Sequence, residues 1–147
     1  MLVLANLAST LFMTGLIWLI QLVHYPLFAQ VGRDEFVNYE DMHRRMITPV
    51  VGPVMLLELV TTMGLLVKRP ETMPTWAAWT GFGLAAVIWL STALLQVPEH
   101  GVLSNGFNAA AHQRLVSTNW LRTVAWSLRS LLMLWCVSRS YDPATLR

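Results

Sequence analysis

The stretch VSTNWLRTVAWSLRSLLMLWCVS, residues 116–138, decides the fold of this chain. Most of its side chains are apolar, but Arg122 and Arg129 lie seven residues apart and therefore share one face of a helix. An arginine inside a membrane costs roughly 2.5–3.5 kcal/mol or more, so it usually faces the bundle interior and has a partner. The stretch therefore predicts a membrane helix with its polar face turned inward. The other residues predicted on this face are Asn119, Trp126 and Met133.

The composition is typical of an integral membrane protein. Of the 147 residues, 55% are hydrophobic and 12% are charged, against about 45–50% and 25% in soluble domains. The mean hydropathy is +0.51. The formal net charge of +2 is too small, and the basic runs are too short, to indicate a nucleic-acid partner. The single cysteine, Cys136, excludes an intramolecular disulfide, and we interpret it as a small buried hydrophobic residue.

Four segments are each long enough to cross about 30 Å of hydrocarbon. The first is interpreted as a retained helix rather than a signal peptide, because no Lys or Arg precedes Arg33. Pro26 is expected to kink or end the first helix, and Pro98 to end the third before His100. The predicted fold is all-α, a four-transmembrane-helix bundle in a single domain. Its predicted spans are residues 2–29, 46–67, 75–97 and 116–138.

The first long loop is predicted to contain a short amphipathic helix. Asp34 is the expected N-cap, and residues 36–47 have apolar positions at helical spacing. This helix either lies at the membrane interface or runs into the second span. In the loop before the fourth span, Asn105-Gly106 predicts a turn, and Asn108 is the expected cap of a further short helix.

With four spans, both termini lie on one side of the membrane. The positive-inside rule counts basic residues, and here the two sides tie. The short loop 68–74 carries unambiguous basic residues, so we expect a bacterial inner-membrane protein with both termini in the cytoplasm, surrounded by membrane lipid. A homo-oligomer is an open alternative. The bases counted are Lys68, Arg69, Arg139 and Arg147 on the side of the termini, and Arg33, Arg44, Arg45 and Arg114 on the other.

This topology predicts a polar cavity at the membrane face of the two longer loops. Its floor is expected near Glu58 and Arg129, which both lie near mid-depth. Glu58 is the only acid in the first three apolar segments, and we expect it to pair with Arg129. The polar residues predicted at that face are His24, His43, His100, His112, Gln21, Gln96, Glu40, Glu99 and Asn119.

Arg122 is then an interior cation without an assigned acid. Three interpretations stay open. Its side chain reaches the membrane interface, or it meets Glu99 or Glu40, or it binds an anion. The anion would be a carboxylate, a phenolate, a quinone oxygen or a haem propionate.

The histidines are candidate ligands for a metal ion or haem, since imidazole binds both. The candidate ligands are His24, His43 and His100. Glu40 and His43 have the Glu-x-x-His spacing of di-iron bundles, but those proteins use two such motifs and only one is found here. Methionines near His43 would suit copper, although they are also ordinary membrane residues. His112, in a polar loop, is expected to be solvated.

Several stretches together resemble a group of small bacterial four-helix integral membrane proteins, which are remotely similar to the anthrone oxygenase-like membrane family. The resemblance implies oxygen-dependent oxidation of a polycyclic phenolic substrate, with no established cofactor. The stretches are QLVHYPLF, VGRDEF with NYEDMHRR, PVVGPVMLLEL, WLSTALLQVPEH and NWLRTVAWSLR. The positions carried into it are His24, His43, Glu58, His100, Asn119, Arg122 and Arg129.

The leading functional hypothesis is a membrane oxidoreductase whose pocket takes an apolar ligand with an anionic, phenolic or quinone-like group. A second hypothesis is a non-catalytic membrane subunit or binding protein, whose polar stripes only hold helices together. A third is a transporter component, which would need an oligomer because no inverted repeat is evident. Candidate catalytic residues are His24, His43, Glu58, Arg122 and Arg129, and candidate ligand-binding residues are Gln21, Gln96, Asn119 and Trp126.

Overall fold

The computed structural model describes residues 1–140, which form four helices and no β-strand. Arg147, one of the bases counted for orientation, lies outside the described residues. Three of the helices, α1 to α3, are long and apolar enough to cross a membrane, which agrees with a membrane protein. The helices are α1 (Leu2–Gln30), α2 (Phe36–Val67), α3 (Thr75–Leu103) and α4 (Ala109–Ser140).

Each helix packs against two neighbours, in the ring order α1, α2, α3, α4 and back to α1. Consecutive helices run in opposite directions because the segments that join them are short. The ends of α1 and α3 therefore meet the beginnings of α2 and α4, and we call this the histidine end of the bundle. One apolar core lies there, around Phe28, Phe36 and Leu115, and a second lies at the opposite end and contains the buried Cys136.

The helix predicted in the first loop runs into the second span, which is one of the two courses expected for it. Residues 36–45 are the first turns of α2, which continues unbroken to Val67. Asp34, however, is not the N-cap, because α2 follows Glu35, which makes no side-chain capping bond. Pro49 and Pro53 lie within the helix on its exposed face, where their rings do not disturb the packing against α1 and α3.

The predicted end of the third helix before His100 is also wrong, because α3 continues to Leu103. A π-helical turn, Thr92–Gln96, precedes Pro98, and a matching turn, Ile20–His24, precedes Pro26 in α1. Proline lacks the backbone N–H that an α-helix uses for its hydrogen bonds. In both helices the locally wider π-helical turn lets the helix continue past the proline. Such turns are frequent at functional sites. Here both of them lie beside the polar interior of the histidine end.

The predicted turn and cap before the fourth helix are confirmed. Gly106 has a φ of 130°, which favours glycine, and its N–H donates to the Leu103 carbonyl at 3.0 Å. Asn108 Oδ1 accepts the N–H of Ala111 at 2.9 Å. The short helix expected after Asn108 is not separate, since it forms the first turns of α4.

Candidate functional site

Glu58 and Arg129 pair inside the bundle, as predicted, but nearer the end opposite the histidine end than its middle, because Glu58 lies nine residues before the end of α2 at Val67. Arg129 Nε donates to Glu58 Oε1 at 3.0 Å, and both side chains are almost completely buried. The carboxylate also accepts Thr10 Oγ1 at 2.8 Å and Trp126 Nε1 at 3.0 Å. We call these four residues, with Thr62, the floor, although only Trp126 among them lines the cavity described below, so the structure does not place Glu58 and Arg129 at the bottom of that cavity as expected. Three helices meet on the carboxylate of Glu58.

The guanidinium of Arg129 has further partners on α2 and α3. Its Nη2 donates to Thr62 Oγ1 at 2.8 Å, and its Nη1 donates to the carbonyl of Gly81. A Cβ atom at Gly81 would lie 3.7 Å from that Nη1, which is an ordinary van der Waals contact, so the space at this position does not itself require glycine. The floor is thus a charge-balanced unit, since Glu58 supplies the counter-charge of Arg129, which is the arrangement of a structural ion pair.

Arg122 is also buried, at 7% exposure, but its partners are uncharged. Its Nε and Nη2 donate to Asn119 Oδ1 at 3.0 and 2.6 Å, and its Nη1 donates to Thr92 Oγ1 at 3.2 Å. Nη2 also donates weakly to the Tyr25 hydroxyl at 3.5 Å. Among residues 1–140 no carboxylate lies within 4.0 Å of this guanidinium.

Two of the three interpretations of Arg122 are therefore wrong. The side chain does not reach the interface, because it is buried and held inward by Asn119. It also does not meet Glu99 or Glu40. Glu99 pairs with Arg114 at 2.6 Å on the surface, and Glu40 pairs with His100. The third interpretation, an anion-binding arginine, stays a prediction.

The position of Arg122 is fixed by a second layer of side chains. Asn119 Nδ2 donates to Gln21 Oε1 at 2.8 Å, and Gln21 Nε2 donates to the Val116 carbonyl at 3.1 Å. The Trp126 ring lies with its centre 5.9 Å from Arg122 Cζ, a cation–π distance. The sequence placed Gln21, Asn119 and Trp126 in this site, and the structure brings Asn119 and Trp126 to Arg122 and Gln21 to Asn119, although only Trp126 of the three lines the cavity described next.

A cavity of about 230 Å³ adjoins Arg122. Its inner wall is built from buried residues of α1 and α4, whereas Arg44, Thr48 and Val97 in its lining are exposed. The mouth therefore opens between α2 and α3 near the histidine end. The apolar lining residues are Met13, Ile17, Ile20, Ile47, Val51, Met55, Val97 and Trp126, and the polar ones are Tyr25, His43, Arg44, Thr48, Thr92, Gln96, His100 and Arg122.

A chain of hydrogen bonds leads from the cavity to a buried acid. The Tyr25 hydroxyl bonds to His100 Nε2 at 3.1 Å, and His100 Nδ1 bonds to Glu40 Oε1 at 2.7 Å. A carboxylate oxygen only accepts, so the geometry assigns the proton to Nδ1 of His100, and Nε2 then accepts the proton of Tyr25. Glu40 is fully buried, and its Oε2 has no hydrogen-bond partner among the described residues.

His24 and His43 form a pair beside this chain. His24 Nε2 lies 2.8 Å from His43 Nδ1, and the His43 ring stacks on that of His100 at 5.4 Å. His112 is not solvated as expected. Its Nε2 bonds to the Tyr25 carbonyl at 2.8 Å, and its ring stacks on the buried Phe28.

The predicted ligands His24, His43 and His100 do not form a site with three metal ligands, whereas haem ligation by one or two of them stays a prediction. Within the described part of the chain, no three His, Cys, Asp or Glu side chains are grouped so that they could hold a metal ion. Both ring nitrogens of His100 are bonded within the protein, and His24 and His43 bond to each other. Glu40 turns to His100 rather than sharing a site with His43, as the di-iron spacing would require.

Tyr25 is the residue of this site that the sequence does not single out. It is 3% exposed and contacts Arg122, His100 and, through its carbonyl, His112. The sequence does contain a pattern that could have identified Tyr25, because it lies four residues after Gln21 and so shares its helix face. The Tyr25-Pro26 pair, however, predicts mainly a kink, and a kink at this point makes the polar face harder to recognise from spacing.

Comparison with protein-family models, curated proteins and solved structures finds no significant match to this chain. The resemblance to the small four-helix membrane proteins and to the anthrone oxygenase-like family therefore stays an expectation from the sequence.

Proposed function

We propose that this is a membrane protein that binds an amphipathic ligand with an acidic head group in the cavity beside Arg122. The ligand class is an aromatic body that carries a carboxylate, a phenolate or a quinone-like oxygen. The observation that carries the proposal is that Arg122 is buried, has no carboxylate among residues 1–140 within 4.0 Å of its guanidinium, and lines a cavity of about 230 Å³ with apolar residues on its inner side.

A buried cation needs a compensating charge or a dense set of acceptors. Arg122 has three neutral acceptors and the face of Trp126, which compensate it only in part. A guanidinium has five N–H groups, and Nη1 has two of them but makes one bond, to Thr92. An anion in the cavity would accept the remaining N–H and supply the missing charge.

The cavity walls set the size and polarity of the ligand body. Half of the lining residues are apolar, and Met13, Ile17 and Met55 form an aliphatic surface on the inner side. The volume of about 230 Å³ is smaller than the roughly 300–1,000 Å³ of sites for drug-sized ligands. A body of one or two fused rings therefore suits this cavity better than a haem or a larger polycycle.

The test uses 2-naphthoate and its neutral methyl ester as probes, with protein in lipid nanodiscs and binding measured by calorimetry. The wild-type protein is expected to bind 2-naphthoate about tenfold or more tightly than the ester, because a charged hydrogen bond contributes about 1.5–3 kcal/mol. Arg122→Gln is expected to remove this preference. Arg45→Gln is the matched control, since Arg45 is exposed, pairs with Asp41 and does not line the cavity.

Equal binding of the acid and the ester to the wild-type protein would contradict the proposal. So would a preference for the acid that survives in Arg122→Gln and is lost in Arg45→Gln. Empty nanodiscs give the blank, because an aromatic acid also partitions into lipid.

The chain from Tyr25 to Glu40 favours a second, catalytic function, an oxidoreductase acting on a phenolic ligand. A phenol beside Arg122 could give its proton to the Tyr25 oxygen while the proton of Tyr25 passes to His100 Nε2 and the Nδ1 proton of His100 passes to Glu40. Arg122 would stabilise the phenolate that results. Oxygen is the electron acceptor that the family resemblance implies for the oxidation that follows.

The absorption spectrum of bound 2-naphthol tests the proton transfer, because the naphtholate absorbs at longer wavelength than the neutral phenol. We expect the naphtholate band with the wild-type protein near neutral pH and its loss in Tyr25→Phe. Oxygen consumption with 2-naphthol then separates an oxidoreductase from the alternative, a non-catalytic binding protein or membrane subunit. A bound naphthol that stays neutral in the wild-type protein would remove the catalytic proposal and leave the binding proposal.

We also propose that α4 crosses the membrane as a fourth span, with both termini in the cytoplasm of a bacterial inner membrane. The support is that α4 buries Arg122 and Arg129 and exposes large apolar side chains, including Leu121, Val124, Leu128 and Leu131. Green fluorescent protein fused after residue 147 should fluoresce, and alkaline phosphatase inserted at residues 104–108 should be active. With each reporter tested at both sites, fluorescence at residues 104–108 and phosphatase activity after residue 147 would reverse the orientation. Phosphatase activity at both sites would rule out a fourth span.

A further inference from the structure

Arg44 lies across the mouth of the cavity. It is an exposed residue of α2 that lines the cavity, and its Nη1 donates at 2.7 Å to Oγ of Ser104, the residue after the end of α3. The mouth opens between these two helices, which pack against each other mainly along Thr75–Ser91 and little along the π-helical turn of α3. A side chain that begins on one helix and bonds to the other therefore spans the opening.

The hydroxyl of Ser104 holds the Arg44 guanidinium in a defined way. A hydroxyl has one hydrogen, and Ser104 donates it to the His100 carbonyl at 2.8 Å. The Ser104 oxygen therefore accepts from Arg44 and takes one of the five N–H groups of the guanidinium. Because the Arg44 side chain is exposed, the other N–H groups can bond to a molecule at the mouth.

The cavity lining carries a positive charge at both ends. Arg122 lies on the inner side, Arg44 lies at the mouth, and no Asp or Glu of the described residues lines the cavity. Within residues 1–140, no carboxylate lies within 4.0 Å of either guanidinium. The neighbouring Arg45 is also exposed, but it pairs with Asp41 at 3.0 Å and is not part of the lining. A single anionic group on the ligand would compensate only one of the two cations.

We propose that Arg44 is a second anion-binding residue and that the ligand is an aromatic diacid. One acidic group bonds to Arg122, the other bonds to Arg44 at the mouth, and the apolar body lies between them. This inference rests on the proposed function, because it concerns a second group on the same ligand. An exposed ion pair contributes less than a buried charged hydrogen bond, so Arg44 sets the specificity for the second acid while Arg122 supplies more of the affinity.

The test uses naphthalene-2,6-dicarboxylate and its monomethyl ester, with protein in nanodiscs of zwitterionic lipid at low salt. The measured quantity is the affinity of the diacid divided by that of the half ester, and comparing this ratio among variants cancels the effect of the symmetry of the diacid. In Arg44→Gln the ratio is expected to fall about three- to fivefold from its wild-type value, which is the effect of an exposed ion pair. Arg45→Gln is the matched control, because it removes the same charge from the next residue, and it should keep the wild-type ratio.

The salt dependence of binding gives a second readout. The diacid ratio should fall in the wild-type protein as sodium chloride is raised to about 1 M, because salt screens exposed charges. In Arg44→Gln the ratio should change little with salt. The preference for 2-naphthoate over its methyl ester should also change less, since Arg122 is buried. A wild-type diacid ratio that does not respond to salt would contradict an ion pair at Arg44.

The outcomes separate the two proposals. If 2-naphthoate binds no better than its methyl ester, the proposed function fails and this inference fails with it. If 2-naphthoate is preferred as expected but Arg44→Gln keeps the wild-type diacid ratio, the proposed function stands, Arg44 only bridges α2 and α3, and this inference is overturned. An equal fall of the ratio in Arg45→Gln overturns it as well, because the effect then comes from the general positive charge of this surface.

Discussion

Arg122 and Arg129 lie two turns apart on one face of α4, and both are buried, but their surroundings differ. Arg129 bonds to the carboxylate of Glu58 and to acceptors on α2 and α3. Arg122 bonds to neutral groups and lines a cavity. The comparison shows that two buried arginines on one helix face can differ in whether the protein itself supplies the counter-charge. We propose that this difference, and not burial, separates a structural arginine from a binding arginine.

The largest expected effect is on stability, from Arg129→Gln. The variant leaves the Glu58 carboxylate buried without its cation, and breaking one partner of a buried pair costs about 3–5 kcal/mol. The free energy of unfolding, measured by denaturant titration in mixed micelles, checks this value. The double variant Glu58→Gln with Arg129→Gln should recover most of the loss, because it removes both charges. A double variant as unstable as the single one would mean that the pair does not act as a charge-balanced unit.

A matched pair of threonine variants gives the next effect. Thr10→Val removes a donor to the Glu58 carboxylate, and the loss should be about 1–3 kcal/mol because the acceptor is charged and buried. Thr92→Val removes an acceptor of Arg122 and should cost less than Thr10→Val, since that guanidinium keeps its two bonds to Asn119. Unfolding under the same conditions compares the two directly. A larger loss for Thr92→Val would reverse the proposed roles of the floor and the cavity.

The smallest expected effect on stability comes from Arg122→Gln. The variant loses hydrogen bonds to Asn119 but also removes an uncompensated buried charge, and these terms oppose each other. We expect a change within about 1 kcal/mol, together with the loss of 2-naphthoate binding. Unfolding and binding measured on one preparation test both parts. A loss of stability equal to that of Arg129→Gln would show that Arg122 is a structural residue too.

The sequence predicts the floor better than the cavity. Glu58 is the only acid in the first three apolar segments, and Arg129 is a base that helical rise places at the same predicted depth. Their pairing therefore follows from charge and helical rise alone. Arg122 is predicted as the remaining cation by the same reasoning. The helix count and the capping residue Asn108 also follow from local patterns.

The rest depends on backbone detail that periodicity does not reveal. Pro26 and Pro98 indicate breaks, but the π-helical turns before them let α1 and α3 continue, which brings Tyr25 and His100 together at the cavity. The histidines were expected to converge on a metal because they lie at one end of the bundle. Position along the helices does not fix which nitrogen of a ring faces which neighbour, and the rings bond to Glu40, to Tyr25 and to each other instead.

Solid-state NMR of the ligand complex tests the central proposal most directly. The sample is protein with ¹⁵N-labelled arginine side chains in lipid, bound to 2-naphthoate labelled with ¹³C at the carboxyl carbon. A dipolar coupling between that carbon and guanidinium nitrogens is expected in the wild-type protein and in Arg45→Gln, and it should be absent in Arg122→Gln. No coupling in the wild-type protein at saturating ligand, or a coupling that persists without Arg122, would contradict the assignment of Arg122 as the anion-binding residue.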